Sequence, residues 1–147
     1  MMALTQAVTI VMIEDDDGHA RLIEKNIRRA GVNNEIVHLR DGTSAVEFLF
    51  GAEGGPPASH LPFMILLDLN LPDMSGADIL RRVKADERFR RAPVIVLTTT
   101  DDKAEIERCY DLGCNVYITK PLIYHNFAEA IRQLGLFLSV IQIPEQV

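Results

Sequence analysis

The sequence feature that most restricts the fold is residues 63–72, FMILLDLNLP, in which five apolar residues run directly into Asp68. A short, continuous apolar run of this kind is typical of a strand buried on both faces of a parallel sheet. Asp68 then lies where the strand leaves the core, at the edge where open parallel sheets bind ligands. Burying a carboxylate costs free energy unless it is paired or binds a metal ion. Asp68 therefore either finds partners elsewhere in the chain or caps a nearby turn.

Strand-like and helix-like segments alternate along the rest of the chain. Apolar and β-branched runs predict strands, and apolar stripes at helical spacing between them predict helices. This alternation implies an α/β fold with a five-stranded parallel sheet and helices on both faces. The predicted strands cover residues 8–13, 35–39, 63–67, 94–97 and 115–119, and the predicted helices cover residues 20–30, 43–50, 77–86, 101–112 and 124–141.

Composition limits the functions that this chain can have. A length of 147 residues with 48% hydrophobic residues suits a single domain, for which we expect a core over about residues 8–138. The net charge of −6 argues against a nucleic-acid surface, which requires a basic face. No apolar run is long enough to span a bilayer, and we see no signal peptide. Cys109 and Cys114 are interpreted as reduced thiols, so we predict a cytoplasmic protein with no membrane partner.

Polar residues follow four of the five predicted strands. Residues 14–17 (EDDD) follow the first, Asp68 the third, hydroxyls beginning with Thr98 the fourth, and Lys120 the fifth. The ends of parallel strands share one edge of the sheet, so these groups are predicted to face one crevice. Four adjacent acids repel one another unless a cation or a lysine neutralises them. Asp16 or Asp17 has the simpler alternative of capping the helix that follows.

The residue types in this crevice favour phosphoryl chemistry. Glu14, Asp15 and Asp68 are hard oxygen ligands, with no imidazole or thiolate among them, which favours magnesium or manganese. Lys120 offers a positive charge and Thr98 a hydroxyl donor to a phosphoryl group. A carboxylate nucleophile can form an aspartyl phosphate, and a metal ion with an ammonium would neutralise the transferring phosphoryl oxygens. The residues therefore predict a magnesium-dependent, phosphoryl-accepting aspartate.

The same residues make the chain resemble the receiver domains of two-component response regulators from Thr9 to about Leu138. The shared motifs are IEDD at 13–16, LDLNLPDMSG at 67–76, VLT at 96–98 and KP at 120–121. The resemblance implies a flavodoxin-like, doubly wound (CheY-like) fold. It also implies a signalling protein that receives a phosphoryl group from a histidine kinase. Such a protein is not an enzyme beyond catalysing its own phosphorylation and the hydrolysis of its aspartyl phosphate.

The resemblance also implies a role for each matching residue. Asp68 would be the phosphoacceptor, and Lys120 would pair with Asp68 and then with the phosphoryl group. Asp15 would bind Mg²⁺ (or Mn²⁺) directly and Glu14 through water, while Asn70 would contribute its backbone carbonyl to the metal.

A switch is implied as well. Thr98 would move to hydrogen-bond the phosphoryl oxygen, and Tyr117 would swing inward behind it, although an ordinary half-buried aromatic is the alternative for Tyr117. Asn70 and Thr100 occupy positions that tune the lifetime of the aspartyl phosphate in this family.

The C-terminal part of the sequence suggests how the signal leaves the protein. Only 26 residues follow Pro121, too few for an added DNA-binding domain, so we expect output through protein–protein contact. The last predicted helix is apolar on two sides, which is typical of burial on both. We predict a homodimer through this helix and the tail at 139–147, the alternative being a tail folded on its own domain. The predicted interface residues are Leu136, Phe137, Val140 and Ile143.

A narrower resemblance concerns the partner. The Gly/Pro-rich loop at 51–62 and the apolar tail look like those of the small single-domain regulators that pair with bacterial phytochrome histidine kinases. The predicted partner is therefore a histidine kinase, phytochrome-linked on this resemblance.

Three other classes share parts of the pattern. A haloacid-dehalogenase-type phosphatase needs a second acid two residues after its nucleophile, where this chain has Asn70. A flavodoxin-like electron carrier needs a hydroxyl- and Gly-rich phosphate loop where this chain has four acids, which would repel a flavin phosphate. A receiver used as a phosphorylation-independent binding module remains the stronger alternative, although the complete set of Asp15, Asp68, Thr98 and Lys120 argues against it.

Overall fold

The computed structural model describes residues 8–51, 63–120 and 129 of the chain. Over these residues five strands alternate with four helices, as the sequence pattern predicts. The strands form one parallel sheet in the order β2-β1-β3-β4-β5. The elements are β1 Thr9–Ile13, α1 Asp17–Arg29, β2 Ile36–Leu39, α2 Gly42–Phe50, β3 Phe63–Leu67, α3 Gly76–Ala85, β4 Val94–Thr98, α4 Lys103–Leu112 and β5 Val116–Thr119.

Strand β3 lies at the centre of the sheet, and its register brings the strand ends together. Ile13 pairs with Leu67, and Leu67 pairs with Val96 in β4. The Asp68 N–H donates to the Ile13 carbonyl at 3.0 Å, so the residues that follow β1 and β3 are neighbours. The prediction that Asp68 leaves a buried strand at the carboxyl edge is confirmed.

Side chains that alternate along the strands divide the core into two layers, because successive residues of a strand point to opposite faces. Helices α2, α3 and α4 cover one face, and α1 covers the other. Both layers are almost free of water-accessible area, which explains why the central strands read as continuous apolar runs. The first layer includes Val11, Ile13, Ile65, Leu67, Val94 and Val96, and the second includes Ile10, Met12, Met64, Leu66, Ile95 and Leu97.

Most predicted boundaries agree with the structure to within a residue; α4 begins two residues later than predicted, and the largest difference is the start of α1. This helix begins at Asp17 instead of residue 20, because Asp16 accepts a hydrogen bond from the His19 N–H and caps it. Asp102 caps α4 in the same way. Gly113 ends α4 in the left-handed region at φ 107°, a conformation that glycine adopts without steric cost.

Several predictions fall outside the described residues. These are the loop at 52–62, the tail and the interface residues Leu136, Phe137, Val140 and Ile143. Of the last predicted helix, at 124–141, Glu129 is described and is helical. Among the helices that the structure describes, none is long and apolar enough to cross a membrane.

Candidate functional site

Three carboxylates meet at the carboxyl edge of the sheet. One oxygen from each of Glu14, Asp15 and Asp68 lies within 4.8 Å of the others. Glu14 and Asp68 are buried and Asp15 is exposed. Gly76 permits this arrangement, because a Cβ at that position would lie 2.3 Å from the Asp68 backbone oxygen. The first turn of α3 can therefore pack directly on the backbone that carries the central aspartate.

The Lys120 ammonium lies among these carboxylates. Its Nζ is 3.1 Å from Asp68 Oδ2 and also forms a short ion pair with Glu14 Oε1. The backbone N–H of Lys120 donates to the backbone carbonyl of Thr98 at 2.7 Å, which holds the Lys120 backbone beside the end of β4. One ammonium faces three carboxylates, so the site keeps a net negative charge when all of them are ionised.

Burial and charge act in opposite directions on Glu14. Burial raises the pKa of its carboxyl group above the ordinary value, and the hydrogen bond from Lys120 partly opposes that rise. The nearby negative charge of Asp68 raises the pKa further. The single Lys120 ammonium therefore does not fully neutralise the buried carboxylates of Glu14 and Asp68. Hard oxygen donors in such a cluster fit a divalent cation of the magnesium type.

Asn70 connects the central aspartate to the end of β4. Its backbone N–H donates to Asp68 Oδ1 at 2.9 Å. Its side-chain amide donates to Thr98 Oγ1 at 3.1 Å, and Thr98 is fully buried. The two oxygens of Asp68 are thus held by different partners, Oδ1 by the Asn70 amide and Oδ2 by Lys120. The Thr98 hydroxyl accepts a hydrogen bond at the rim of the same crevice.

Tyr117 lies on β5, half-buried beside the loop that follows β4. Its hydroxyl donates to the Thr100 backbone carbonyl at 2.6 Å. Burial raises the pKa of Tyr117 to about 12, so the phenol is a hydrogen-bond donor at neutral pH. The hydroxyl of Tyr110, on the exposed side of α4, accepts a hydrogen bond from the Tyr117 N–H. The phenol thereby joins β5 to the loop that carries Thr100.

The acidic run at 14–17 divides into three parts in the structure. Glu14 and Asp15 belong to the carboxylate cluster. Asp16 is the cap of α1, as one of the two sequence alternatives predicted. Asp17 forms an exposed ion pair with Arg40 at 2.9 Å. Three of the four adjacent acids thus have different partners: Glu14 the Lys120 ammonium, Asp16 the His19 backbone N–H, and Asp17 the Arg40 guanidinium.

Sequence reasoning missed two histidines that lie at this edge. His19 Nδ1 is 3.2 Å from Lys120 Nζ, and His38 Nε2 is 2.7 Å from the Glu14 backbone oxygen. A signal for His19 existed, because the first turn of a helix that follows a parallel strand lies at the carboxyl edge of the sheet.

A model of the response regulator receiver domain family matches residues 10–132. The chain belongs to this family. Among curated relatives, the probable methanogenesis regulatory protein FilR2 of Methanothrix harundinacea is 38% identical over 125 residues, covering 85% of this chain and 79% of the relative. Response regulator Rcp1 of Synechocystis is 36% identical over 111 residues, covering 76% of this receiver and 75% of Rcp1.

Solved structures agree with the family assignment and with the fold. A response regulator receiver domain from Rhodospirillum rubrum is 67% identical, with a TM-score of 0.82, covering 95% of this receiver and 99% of that chain. The Mn²⁺-bound form of Rcp1 is 29% identical, with a TM-score of 0.75 and coverage of 93% and 99%. The phosphorylated cyanobacterial phytochrome response regulator RcpA is 32% identical, with a TM-score of 0.71 and coverage of 90% and 94%.

Membership of the family identifies the general function of this chain. Receiver domains are signalling modules of two-component systems, they interact with histidine kinases, and they bind divalent metal ions. They are generally non-enzymatic. The family match decides against the phosphatase and electron-carrier alternatives. The carboxylate cluster of this receiver has the donor set that such a metal ion requires.

Proposed function

We propose that Asp68 accepts a phosphoryl group from the phosphohistidine of a histidine kinase. The observation that carries this proposal is the position of its carboxylate. Asp68 is buried at the end of the central strand, belongs to a cluster of three acids, and has its Oδ2 3.1 Å from the Lys120 ammonium. A buried acid that shares one ammonium with other acids is poorly satisfied as a structural group. It is well placed as a nucleophile.

The chemistry follows from these groups. An Asp68 oxygen forms a bond to phosphorus as the N–P bond of the phosphohistidine breaks, and the nitrogen leaves with the electron pair and takes up a proton. Lys120 donates to a phosphoryl oxygen and offsets its charge. Glu14, Asp15, Asp68 and the Asn70 carbonyl would hold Mg²⁺. The ion supplies further positive charge to the transferring oxygens when it is bound.

The switch in this proposal starts at Thr98. Its hydroxyl, which accepts from the Asn70 amide, turns to donate to a phosphoryl oxygen on Asp68. Tyr117 then gives up its hydrogen bond to the Thr100 carbonyl and moves inward, repacking the face formed by α4 and β5. One new hydrogen-bond network would thus bias an equilibrium between two states of the receiver. Asn70 and Thr100 would set how long the aspartyl phosphate survives.

The decisive experiment is intact mass measurement after incubation with Mg²⁺ and a small-molecule phosphodonor. Wild type is expected to gain one phosphoryl group, and Asp68→Asn none. Asp73→Asn is the matched control, because it removes a carboxylate from the same loop without touching the cluster, and it is expected to gain the group. Removing Mg²⁺ should prevent the gain in every sample. An unmodified wild type that binds Mg²⁺ would instead support a phosphorylation-independent binding module.

The proposed kinase is linked to a phytochrome. The support is the similarity to RcpA, a phytochrome response regulator that shares 32% of aligned residues with this receiver. The test compares phosphoryl transfer from a purified bacteriophytochrome kinase with transfer from an unrelated histidine kinase at equal concentration. Faster transfer from the phytochrome kinase is expected, and equal or slower transfer would contradict the link.

We also propose that the receiver acts as a single domain that dimerises through its C-terminal helix and tail. The support is the second apolar set of the predicted helix and tail, formed by Leu136, Phe137, Val140 and Ile143. Replacing Phe137 and Val140 by serine should shift sedimentation toward the monomer. An unchanged sedimentation profile would count against this interface.

A further inference from the structure

The Lys120 side chain has three N–H donors and no acceptor. The structure supplies an acceptor for each of them, namely Glu14 Oε1, Asp68 Oδ2 and His19 Nδ1. The first two are the acids of the proposed phosphoryl site. The third is a ring nitrogen from a different element, the first turn of α1. Among the described residues, His19 supplies the third acceptor of the ammonium.

The contact determines the state of the imidazole. An ammonium can only donate, so His19 Nδ1 must carry a lone pair and the ring proton must lie on Nε2. The backbone around the ring is also held, because the His19 N–H donates to Asp16 Oδ1 at 2.9 Å. Ala20, the next residue, is buried against the sheet. The ring is thus presented to Lys120 from a capped and packed helix turn.

The three acceptors do not lie at the same depth. Glu14 and Asp68 are buried, whereas His19 is exposed at the mouth of the crevice. Two carboxylates draw the ammonium inward, and the imidazole holds it toward the opening. A phosphoryl group on Asp68 would add three oxygens on the side from which the donor arrives. An ammonium held toward that side is already placed to meet them.

We propose that His19 is a positioning residue that holds Lys120 ready for the transferring phosphoryl group. The inference rests on the proposed role of Asp68 and adds a residue from α1 to that site. His19 acts through its Nδ1 lone pair and through Lys120. Its removal should therefore slow phosphoryl uptake and leave divalent metal binding intact.

The test uses a pair of variants of similar size and shape, one with a hydrogen-bond acceptor and one without. In His19→Asn, the side-chain oxygen occupies about the position of Nδ1 and keeps an acceptor there. In His19→Leu, no acceptor remains. Leu22→Asn is the control, because Leu22 is 45% exposed on the same helix and has no contact with Lys120 in the described structure. Each protein is incubated with Mg²⁺ and increasing concentrations of a small-molecule phosphodonor, and initial rates of uptake are followed by intact mass.

His19→Leu is expected to lower the maximal rate roughly tenfold, with little change in the half-saturating phosphodonor concentration, as misplacement of a catalytic group predicts. His19→Asn should recover most of that rate, and Leu22→Asn should match wild type. Mg²⁺ affinity, measured by titration, should change less than about twofold in every variant, since no ligand of the ion is removed. A wild-type rate in His19→Leu, or equal losses in the leucine and asparagine variants, would overturn the proposal.

A second readout does not depend on phosphorylation. The ¹⁵N-lysine NMR signal of the Lys120 ammonium in the unphosphorylated protein should move in His19→Leu and return toward its wild-type position in His19→Asn. An unmoved signal in His19→Leu would refute the contact. If wild type takes up no phosphoryl group and the signal still moves and is restored, the proposed function fails while the anchoring of Lys120 by His19 stands.

Discussion

Asp68 and Asp73 lie on one short loop after β3, yet they occupy opposite kinds of environment. Asp68 is buried, and its oxygens accept from one amide and from an ammonium that Glu14 and His19 share. Asp73 is exposed, and its carboxylate accepts from the N–H groups of Gly42 and Thr43, both at 2.8 Å, and from the Thr43 hydroxyl at 2.6 Å.

The difference separates a functional carboxylate from a structural one. Hydrogen bonds from the Thr43 hydroxyl, which has the largest effect, and from the backbone amides of Gly42 and Thr43 lower the pKa of Asp73 to about 2. The Asp73 carboxylate therefore stays ionised and connects its loop to the start of α2. Among the described residues, Asp68 has one fixed neutral donor, the Asn70 backbone N–H, and its charged partner is the Lys120 ammonium, which Glu14 and His19 also contact. A carboxylate that accepts hydrogen bonds from backbone amides keeps these partners as long as the fold is intact. One that shares a single ammonium with another acid can exchange partners when a phosphoryl group or a cation arrives.

The largest expected effect comes from removing that ammonium. Lys120→Met leaves Glu14 and Asp68 buried without a counter-charge and should lower the free energy of unfolding by about 3 kcal/mol in metal-free buffer. Urea denaturation measures the loss. Arg81→Met is the matched control, because it breaks the exposed Asp78–Arg81 pair and should cost less than about 1 kcal/mol.

Two further results would sharpen this prediction. Lys120→Met should still bind Mg²⁺, because the carboxylates remain, but a phosphoryl group on Asp68 should no longer change the α4–β5 face. Equal losses of unfolding free energy in the Lys120 and Arg81 variants would show that Lys120 contributes no more to stability than an exposed ion pair does.

A metal ion should stabilise the crevice and leave the hydrogen bonds between Asp73 and the start of α2 unaffected. At ten times the dissociation constant, Mg²⁺ should add about 1.4 kcal/mol to the free energy of unfolding of wild type by mass action. In Asp15→Asn the same Mg²⁺ concentration should add much less, because one ligand is lost. Without metal, this variant should be as stable as wild type or slightly more stable, since repulsion among the acids falls. Equal stabilisation of both proteins by Mg²⁺ would place the ion elsewhere.

The smallest effect is expected at Asp73 and shows itself through pH. Its folded pKa, about 2, lies below the ordinary value of 3.8. Asp73 therefore contributes stability that is fully present above about pH 4 and is lost as the pH falls toward 2. Asp73→Asn should be less stable than wild type at neutral pH, and the difference should shrink over that acid range.

Thermal unfolding at several pH values measures this difference. Thr43→Val is the matched variant, because it removes one of the three donors and should fall between wild type and Asp73→Asn. A gap between wild type and Asp73→Asn that stays constant from pH 6 to about pH 2 would contradict the linkage to the Asp73 carboxyl group.

Much of the fold and part of the site could be predicted from the sequence, for a simple geometric reason. Parallel strands end at one edge of their sheet, so residues that follow strands are brought together whatever the details of packing. Glu14, Asp68, Thr98 and Lys120 each follow a strand or end one, and the structure brings them to one edge. Their individual roles remain predictions.

Other features depend on side-chain directions that no sequence pattern contains. The division of the acidic run among a metal-type cluster, a helix cap and the Asp17–Arg40 pair is of this kind. The hydrogen bonds between Asp73 and the start of α2 are another, since the partners of Asp73 are 30 and 31 positions away along the chain.

The sequence by itself determined the order of strands and helices, the buried central strand and the polar residues at its end, because periodicity and chain order carry that information. Only the tertiary structure decided which acid shares Lys120, which acid caps a helix, and that His19 reaches across from α1. These outcomes depend on distances of about 3 Å between atoms of different elements. Such distances are set by how the helices pack on the sheet.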